Sequence, residues 1–500
     1  MSGLEKLPTH IAGFDLVARG GLPKGRTTLV AGTAGSAKTV FAVQFLVEGI
    51  LRGEPGVFVT FEEPPEDIRR NMLGFGWDIP RWEAEGRWFF MDASLQPEEV
   101  GVEAGAYDLG ALLARVESAC RKIGAKRVSI DSVGAIFSQF NDTSIIRAEL
   151  FRMAAVLKRL NVTAVLTTER TQDYGEISRY GVEEFVSDNV ILLRNVLEEE
   201  KRRRTVEILK FRGADHQKGE YPFSVVPNSG INVIPLTTAL GQTSTNKRIH
   251  SGNSELDGLC GGGFFRDSVI LVSGATGTGK TLMVTEFMSG GVEKGERCLI
   301  LAFEESREQL FRNAGGWGHD FAELEKSGRM KVVCVYPEAM SVEDHLIQMK
   351  AVIEEFKPDR LAVDSLSAIE RITTPKSFRE FVIGLTSFVK QREMAALFTA
   401  TTATLTGGSA VTDAHISTIT DSIILMRYVE LHGEMRRGLT VLKMRGSPHD
   451  KEIREFTIDA NGMHIGRPFR NVSGILSGNP VQISPREELD RLGGMFKDDE

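Results

Sequence analysis

The fold of this chain is decided by the stretch Gly274-Ala275-Thr276-Gly277-Thr278-Gly279-Lys280-Thr281. It matches the phosphate-binding P-loop pattern G-x-x-x-x-G-K-[ST] at every fixed position. The apolar run at 268–272 predicts a strand before the loop, and the run at 282–288 is compatible with a helix after it. A strand, a glycine-rich loop and a helix in this order form the structural context that the motif needs.

Each part of this loop has a task in binding ATP. The glycines let backbone N–H groups curl around the phosphates, and the start of a helix favours an anion. Lys280 adds a positive charge at the β- and γ-phosphates, and the Thr281 hydroxyl is placed to hold Mg²⁺. The sequence therefore predicts an ATP site that contains Thr276, Gly277, Thr278, Gly279, Lys280 and Thr281.

The same pattern occurs once more, earlier in the chain. Lys38 and Lys280 lie 242 positions apart, and so do Glu62 and Glu304. Later motifs repeat at a spacing of 233 positions, in the pairs Asp131 and Asp364, Lys210 and Lys443, and His216 and His449. Several chemically specialised motifs in one order at two spacings indicate a duplicated domain rather than a many-repeat solenoid.

Within each copy, short runs rich in Val, Ile, Leu and Phe alternate with longer helical patterns. Continuous apolar strands separated by helices predict an α/β fold, with a mostly parallel sheet flanked by helices. Ligands bind at the carboxyl ends of such strands. We expect domains at residues 1–236 and 247–485, a polar linker at 237–246 and a flexible acidic tail at 486–500.

Carboxylates follow two predicted strands of the second copy. Asp364 ends one apolar run and is placed to hold Mg²⁺. Glu304 and Glu305 end another, where a carboxylate can accept a proton from an attacking water or hydroxyl; Glu305 is also a candidate metal ligand. The alternatives are a turn cap for Asp364 and an acidic helix start for the two glutamates.

The first copy has corresponding residues with one departure. Its predicted nucleotide-binding residues are Gly35, Ser36, Ala37, Lys38 and Thr39, its predicted catalytic carboxylates are Glu62 and Glu63, and its predicted metal site contains Thr39 and Asp131. Ala37 stands where the pattern has its last glycine. The backbone N–H survives, but the Cβ costs free energy if this residue has a positive φ. We expect ATP binding to be retained, with weaker or slower turnover.

A Lys-x-Arg-Gly element occurs late in each copy, followed by a histidine. The residues are Lys210, Arg212 and His216 in the first copy and Lys443, Arg445 and His449 in the second. Side chains two positions apart on a strand share a face, so the lysine and arginine can reach one phosphate or ribose, including one on a neighbouring subunit. The alternative is a solvated strand edge guarded by cations.

A hydroxyl-rich segment distinguishes the second copy from the first. Ser417 and Thr418 correspond to Glu184 and Phe185, which carry no hydroxyl. Hydroxyls present in only one of two ATPase copies suggest phosphate acceptors. Serine and threonine are also good turn and capping residues, so a purely structural role is the alternative.

The bulk composition is that of a multidomain globular protein, with 500 residues, 41% hydrophobic and 26% charged. A net charge of −8 argues against general binding to nucleic acid. The sequence lacks the apolar core of a signal peptide, a run long enough to cross a bilayer, and any C-x-x-C spacing among its four cysteines. We therefore expect a cytoplasmic protein without a membrane or DNA partner.

The ordered motifs resemble those of the KaiC family of circadian clock ATPases. The resemblance is carried by the two P-loops, the Phe-Glu-Glu elements at 61–63 and 303–305, the sequences at 129–132 and 167–170, the Gly-Gly-Phe-Phe turn at 262–265 and the segment at 411–421. These elements cover nearly the whole chain. Their ordered set is much more specific than either P-loop alone.

This resemblance implies two RecA-like domains in a double-ring homohexamer, with ATP and Mg²⁺ at subunit interfaces. The first domain would be a slow ATPase that acts as a timer or signalling hub. The second would be an autokinase and autophosphatase that carries phosphate on Ser417 and Thr418, with Thr412 as a helper. Glu305 would be the general base that takes the proton of the acceptor.

The resemblance also implies roles for the first ring and for partners. Glu62 and Glu63 would orient the hydrolytic water, and the two Lys-x-Arg-Gly elements with their histidines would contact nucleotide across the interface. A KaiB-like protein would bind the first ring, and an output signalling protein is a further possible partner. Ala37 and the short acidic tail at 486–500 depart from the family pattern, so a KaiA-like partner stays open.

Two other functions are compatible with paired P-loops. A recombinase or hexameric helicase predicts a DNA-stimulated ATPase and a basic loop, and the acidic balance argues against it. A nucleotide-dependent scaffold predicts binding and assembly without turnover, and the intact Lys280, Glu305 and Asp364 argue against it.

Overall fold

A computed structural model describes residues 4–93, 109–137, 142–178, 181, 183–198, 200–235, 244–402, 416–470, 472–478 and 480–482. The chain divides into two compact units, Met1–Pro235 and Leu236–Glu500. The predicted tail at 486–500, most of the predicted linker and Thr412 lie outside the described residues.

The first unit is built around one large sheet. The strands of this unit are β1 (Lys6–Leu7), β2 (Leu22–Pro23), β3 (Thr27–Gly32), β4 (Gly56–Thr60), β5 (Trp88–Asp92), β6 (Arg127–Asp131), β7 (Thr163–Glu169), β8 (Asn189–Glu198), β9 (Lys201–Phe211), β10 (Glu220–Val226) and β11 (Gly230–Val233). Its helices are α1 (Phe14–Val17), α2 (Lys38–Ile50), α3 (Pro65–Met72), α4 (Ile79–Ala84), α5 (Leu109–Ile123), α6 (Val133–Phe137), α7 (Thr143–Arg159) and α8 (Glu183–Val186).

The second unit repeats this plan. Its strands are β12 (Arg248–Ile249), β13 (Phe264–Phe265), β14 (Val269–Gly274), β15 (Cys298–Ala302), β16 (Met330–Cys334), β17 (Arg360–Asp364), β18 (Ala395–Thr401), β19 (Ser422–Leu431), β20 (Glu434–Met444), β21 (Arg454–Asp459), β22 (Gly462–Pro468), β23 (Val472–Ser473) and β24 (Val481–Gln482). Its helices are α9 (Ser254–Leu259), α10 (Lys280–Glu293), α11 (Arg307–Gly316), α12 (Phe321–Lys326), α13 (Val342–Phe356), α14 (Leu366–Glu370) and α15 (Pro375–Gln391).

The two large sheets have the same topology. The strand order is β11-β10-β9-β8-β3-β7-β6-β4-β5 in the first unit and β22-β21-β20-β19-β14-β18-β17-β15-β16 in the second. The strands from β8 to β5, and from β19 to β16, run parallel, whereas the last three at the other side pair antiparallel. The predicted fold class, two tandem RecA-like domains with mostly parallel sheets, is confirmed.

The strand that precedes each P-loop is central in its sheet and buried along its whole length. Helices cover both faces, so apolar residues are favoured at successive positions, and the sequence shows a continuous run instead of alternation. The core of the second unit includes Ile270, Val272, Phe287, Ile300 and Leu397. This packing holds the strand ends, and the loops that follow them, in fixed positions.

Candidate nucleotide-binding sites

The second P-loop connects β14 to the first turn of α10. Gly277 and Gly279 have φ angles of +81° and +107°, values that glycine adopts without a steric penalty. A Cβ at Gly277 would lie 2.8 Å from the Tyr428 hydroxyl. Thr278 is buried and donates to the Ala275 carbonyl at 2.8 Å. The motif therefore forms a tight backbone loop at the carboxyl end of a buried strand.

The P-loop lysine is folded into this loop. Its Nζ donates to the carbonyls of Gly274 and Ala275, each at 2.9 Å. Burial lowers the pKa of Lys280, while the carboxylates of Asp364 and Glu304 oppose that effect. A buried cation surrounded by backbone carbonyls is suited to receive the phosphates of a nucleotide.

One hydrogen-bonded group beside the loop consists of Thr281, Asp364 and Thr399. The Thr281 hydroxyl donates to Oδ2 of Asp364 at 2.8 Å, and the Thr399 hydroxyl donates to Oδ1 of the same residue. Burial raises the pKa of Asp364, and these two hydrogen bonds oppose the shift. The sheet brings Asp364 to the P-loop because only β18 lies between β17 and β14.

The two glutamates after β15 have different surroundings. Glu304 is exposed and forms an ion pair with Arg371 at 3.0 Å. Glu305 is half-buried and accepts a hydrogen bond of 3.1 Å from the Asn313 side chain. Burial raises the pKa of Glu305, and the charge of Asp364 adds to the shift. Of the two, Glu305 has the environment that suits a general base.

The first P-loop has the same construction with a strained residue. Lys38 Nζ donates to the carbonyls of Gly32 and Thr33 at 3.0 Å, and Ser36 donates to Thr33 at 2.7 Å. Ala37 has φ +69° and ψ +31°, so it occupies the left-handed region, the condition under which its Cβ costs free energy. Gly35, two positions earlier in the loop, has a φ angle of +72°. Thr39 lies in the first turn of α2, the position that Thr281 occupies in α10.

The carboxylates of the first site gather at the same sheet edge. Glu62 accepts a hydrogen bond of 3.2 Å from the Ser132 hydroxyl, and Glu63 accepts one from the Asn71 amide at 2.5 Å. The Thr167 hydroxyl donates to Asp131. Burial raises the pKa of both glutamates, and the charge of Asp131 also raises each pKa.

The Lys-x-Arg-Gly elements lie at the opposite edge of each sheet. Lys443 pairs with Ile423 and Met444 with Ser422, so the end of β20 meets the beginning of β19. Arg445 donates to the Thr418 carbonyl at 2.8 Å, and Lys443 donates to the Thr420 carbonyl at 2.7 Å. These groups therefore lie at the amino ends of the parallel strands, away from the P-loop of their own domain.

The first domain places its corresponding residues in the same way. The backbone N–H of Arg212 donates to the Asp188 carbonyl at 3.1 Å, and Lys210 donates to the Ser187 carbonyl at 2.9 Å. Strands β9 and β20 end one residue before Arg212 and Arg445. Burial lowers the pKa of the lysine in each element, and the arginine lies close enough to lower that pKa further. That the two side chains share a strand face stays a prediction. The buried Nδ1 atoms of His216 and His449 have no hydrogen-bond partner among the described residues.

The residues present fit ATP and Mg²⁺. Each P-loop offers a lysine and a turn of backbone amides, and Thr281 and Asp364 supply a hydroxyl and a carboxylate, the oxygen donors that Mg²⁺ prefers. In the described part of the chain, no group of three or more His, Cys, Asp or Glu side chains could hold a metal ion. In P-loop sites generally, oxygens of the nucleotide phosphates complete the magnesium site.

Comparison with known proteins agrees with this geometry. The family profile described as "ATPase: KaiC" matches residues 7–238 and again residues 249–469. This chain belongs to the KaiC ATPase family. The family resemblance found in the sequence, and with it the assignment as a KaiC-like clock ATPase, is confirmed. The helicase-like and scaffold alternatives are not favoured.

Relatives within the KaiC family match over almost their whole length. The circadian clock protein KaiC3 of Synechocystis sp. is 66% identical over 495 residues, or 99% of this chain and 98% of that protein. The circadian clock oscillator protein KaiC of Thermostichus vulcanus is 54% identical over 499 residues, or 99% of this chain and 96% of that protein. The protein of the same name from Nostoc sp. is 53% identical over 501 residues, with the same shares.

Sequence reasoning missed several residues of these KaiC-type sites. Asn71 and Asn313 each hold the second glutamate of a pair and follow it by eight positions, a spacing that could have been noticed when the two copies were aligned. Thr399 and its counterpart Thr167, which donate to Asp364 and Asp131, could have been noticed in the same way. Arg371 gave no such signal, because the fold alone brings it to Glu304.

Among the residues that the structure describes, no helix is both long and apolar enough to span a membrane.

Proposed function

We propose that both domains bind ATP, that the first hydrolyses it slowly, and that the second transfers its γ-phosphate to Ser417 and Thr418. Membership of the KaiC ATPase family and the paired nucleotide sites support this division of tasks. The hydroxyl-rich segment in the second domain alone supports it as well.

One observation carries the proposal for how the second domain works. The segment that holds Thr418 lies at the amino edge of the sheet, whereas Lys280 lies at the carboxyl edge. The six-residue strand β14 separates these edges by about 17 Å at roughly 3.3 Å per residue. An acceptor and a phosphate site so far apart in one rigid domain cannot react with each other.

A ring of identical subunits removes this obstacle. If the amino edge of one domain packs against the carboxyl edge of the next, each acceptor segment meets the P-loop of a neighbour. The same contact brings Lys443, Arg445 and His449 to the nucleotide of that neighbour, and Lys210, Arg212 and His216 do so in the first domain. A heterologous interface of this kind forms a ring when the rotation between neighbouring subunits closes. We therefore propose a homohexamer with two rings.

The second site then has a defined mechanism. Lys280 and the P-loop amides hold the phosphates, and Glu305 accepts the proton of the acceptor hydroxyl as that hydroxyl attacks. Asn313 orients Glu305 through a hydrogen bond, and Arg371 holds Glu304 in an ion pair. Bound Mg²⁺ would neutralise charge that develops on the phosphates, and Thr281 with Asp364 would hold it. Transfer of the phosphate back to ADP would reverse these steps and account for autophosphatase activity.

In the first site, Glu62 and Glu63 are proposed to orient the water that attacks ATP, and Thr39 with Asp131 to hold Mg²⁺. The proposed functional domains comprise residues 1–236 and 247–485. We further propose a KaiB-like partner for the first ring and a cytoplasmic location, which four free cysteines fit.

Intact-mass measurement and phosphopeptide mapping test the proposal. The full-length chain is incubated with Mg²⁺ and ATP beside the Glu305→Gln variant. We expect phosphate on Ser417 or Thr418 in the wild type and its loss in the variant. An unmodified segment in a protein that still hydrolyses ATP would refute the autokinase and leave a ring ATPase.

A further inference from the structure

The two domains differ at one strand end that faces the phosphate site. Strand β7 ends at Glu169, which is in register with Gly32, the first residue of the first P-loop. Strand β18 ends at Thr401, which is in register with Gly274, the first residue of the second P-loop. A carboxylate in the first domain is therefore replaced by a neutral hydroxyl in the second.

The position of Glu169 is set by hydrogen bonds of two nearby residues of the chain, Arg170 and Thr167. The N–H of Arg170 donates to the Gly32 carbonyl at 3.0 Å, which ties the end of β7 to the P-loop. Thr167 donates its hydroxyl to Asp131. Since side chains two positions apart on a strand share a face, Glu169 lies on the face of Asp131, one step nearer the carboxyl edge.

The electrostatics agree with this placement. Burial lowers the pKa of Lys38, and among the carboxylates that oppose the shift Glu169 has the largest effect, ahead of Asp131 and Glu62. Burial raises the pKa of Glu62, and Glu169 is the charged group that adds most to it. In the second domain, the carboxylates that act on Lys280 are Asp364 and Glu304.

We propose that Glu169 is a catalytic carboxylate of the first site and that, together with Glu62, it holds the attacking water. An ionised carboxylate only accepts hydrogen bonds and is repelled by phosphate, so its partner at this edge is a donor such as water. The inference rests on the proposed hydrolysis of ATP in the first domain. On this inference, the first domain transfers phosphate to water because it has Glu169. The second domain transfers phosphate to a protein hydroxyl because it has Thr401 at the same position.

The step balances with groups already in place. The water oxygen forms a bond to the γ-phosphorus, and the bond from that phosphorus to the β–γ bridging oxygen breaks. The electron pair of that bond leaves with ADP. One proton of the water passes to the carboxylate of Glu62 or Glu169 and then to solvent, so that ADP and inorganic phosphate are the products. At Thr401, the hydroxyl provides no comparable base.

Reciprocal exchange of the two residues tests this inference in the full-length chain. Glu169→Thr and Glu169→Gln are compared with Glu176→Thr, which removes an exposed carboxylate from the loop after β7. Thr401→Glu places a carboxylate in the second site. Release of phosphate from ATP, its kcat and KM, and phosphate on Ser417 and Thr418 are measured separately.

We expect Glu169→Thr and Glu169→Gln to lower kcat for ATP hydrolysis at least tenfold, with KM within about twofold and with Ser417 and Thr418 still phosphorylated. Glu176→Thr should match the wild type. In Thr401→Glu, the ratio of inorganic phosphate released to phosphate transferred to protein should be higher than in the wild type. This variant also decides the matter if the Glu169 variants fail to fold.

An unchanged kcat in the Glu169 variants would overturn the inference, as would a rise in KM that accounts for the whole loss. An unchanged ratio of release to transfer in Thr401→Glu would do the same. A wild-type protein that hydrolyses no ATP would instead refute the proposed function of the first domain, so the two failures are distinguishable.

Discussion

The Thr281 hydroxyl donates a hydrogen bond of 2.8 Å to Oδ2 of Asp364. This contact joins the P-loop helix α10 to β17, although β18 lies between β17 and β14, the strand that precedes the P-loop. This hydroxyl and this carboxylate are the two groups that would hold Mg²⁺ beside the P-loop.

Thr281→Val keeps the shape of the side chain and removes the hydroxyl. We expect phosphorylation of Ser417 and Thr418 to fall by about 100-fold, because the metal loses a ligand. Thr281→Ser, which restores the hydroxyl, serves as the control and should retain most of the activity. Phosphorylation rates across a Mg²⁺ titration provide the measurement. Equal rates for the valine and serine variants would show that the hydroxyl does not hold the metal.

The pH dependence of phosphorylation tests the role of Glu305. Burial raises its pKa above the ordinary value of 4.5. A base acts only when deprotonated, so the rate should fall as the pH drops through this raised pKa, and the acid limb should lie above pH 4.5. Glu305→Gln should lose at least about 100-fold above this pKa, where the wild-type carboxylate is deprotonated. Glu304→Gln is the matched control and should keep the acid limb. If the acid limb disappears in Glu304→Gln but not in Glu305→Gln, then Glu304 is the base.

Mixed rings test whether phosphate is transferred between subunits. Lys280→Ala subunits keep the acceptors but lose the phosphate contact, while subunits with Ser417→Ala and Thr418→Ala bind ATP without acceptors. We expect neither to become phosphorylated alone. When they are mixed, phosphate should appear on the Lys280→Ala chain, because its acceptors meet the intact P-loop of a neighbour. Mass spectrometry separates the two chains. A mixture that stays unmodified while both variants assemble into rings would contradict the arrangement.

The strained Ala37 predicts a stabilising substitution. With φ +69° its Cβ costs roughly 1–2 kcal/mol, and the greater freedom of glycine in the unfolded chain offsets part of that. Ala37→Gly should therefore stabilise the first domain by roughly 0.5 kcal/mol. Gly279→Ala, whose new Cβ would lie 2.8 Å from Ile458, should destabilise the second. Calorimetric transitions of the full chain measure both, and a lower transition for Ala37→Gly would refute the strain.

A buried acid in the second domain predicts pH-dependent stability. Burial raises the pKa of Glu286 above 4.5, although hydrogen bonds from the Met463 N–H and Asn253 oppose the shift; His464 and Glu255 are its charged neighbours. The folded state thus binds the proton more tightly than the unfolded chain. The contribution to stability is present at low pH and is lost as the pH rises from 4.5 through the raised pKa.

The corresponding residue of the first domain, Gln44, supplies the comparison. Its side chain also bonds a strand backbone, accepting from the Ile231 N–H at 2.7 Å, but does not titrate. The free energy of unfolding of the wild type should therefore fall relative to that of Glu286→Gln as the pH rises above 4.5, and melting temperatures measured across pH report this trend. Gln44→Glu should introduce the same trend in the first domain. Parallel pH curves for wild type and Glu286→Gln would refute the prediction.

The duplication, the order of strands and helices and most residues of each candidate site could be predicted from the sequence alone. A P-loop such as that at 274–281 is a local signal, because its glycines, lysine and threonine act through the backbone of one turn. The carboxylates Asp364, Glu304 and Glu305 were also predictable, because parallel strands deliver their ends to a single edge.

The edge of the sheet that the remaining groups occupy became known from the folded domain. Strand β20 runs antiparallel to β19, so Arg445 emerges beside Thr418 and away from Lys280. A periodic pattern specifies that a segment is a strand but not the direction in which it enters the sheet. The exchange of Glu169 for Thr401 became visible in the same way, through the register of β7 and β18 with the P-loop strands. Register and direction arise from the packing of the whole sheet, and no local stretch of sequence encodes them.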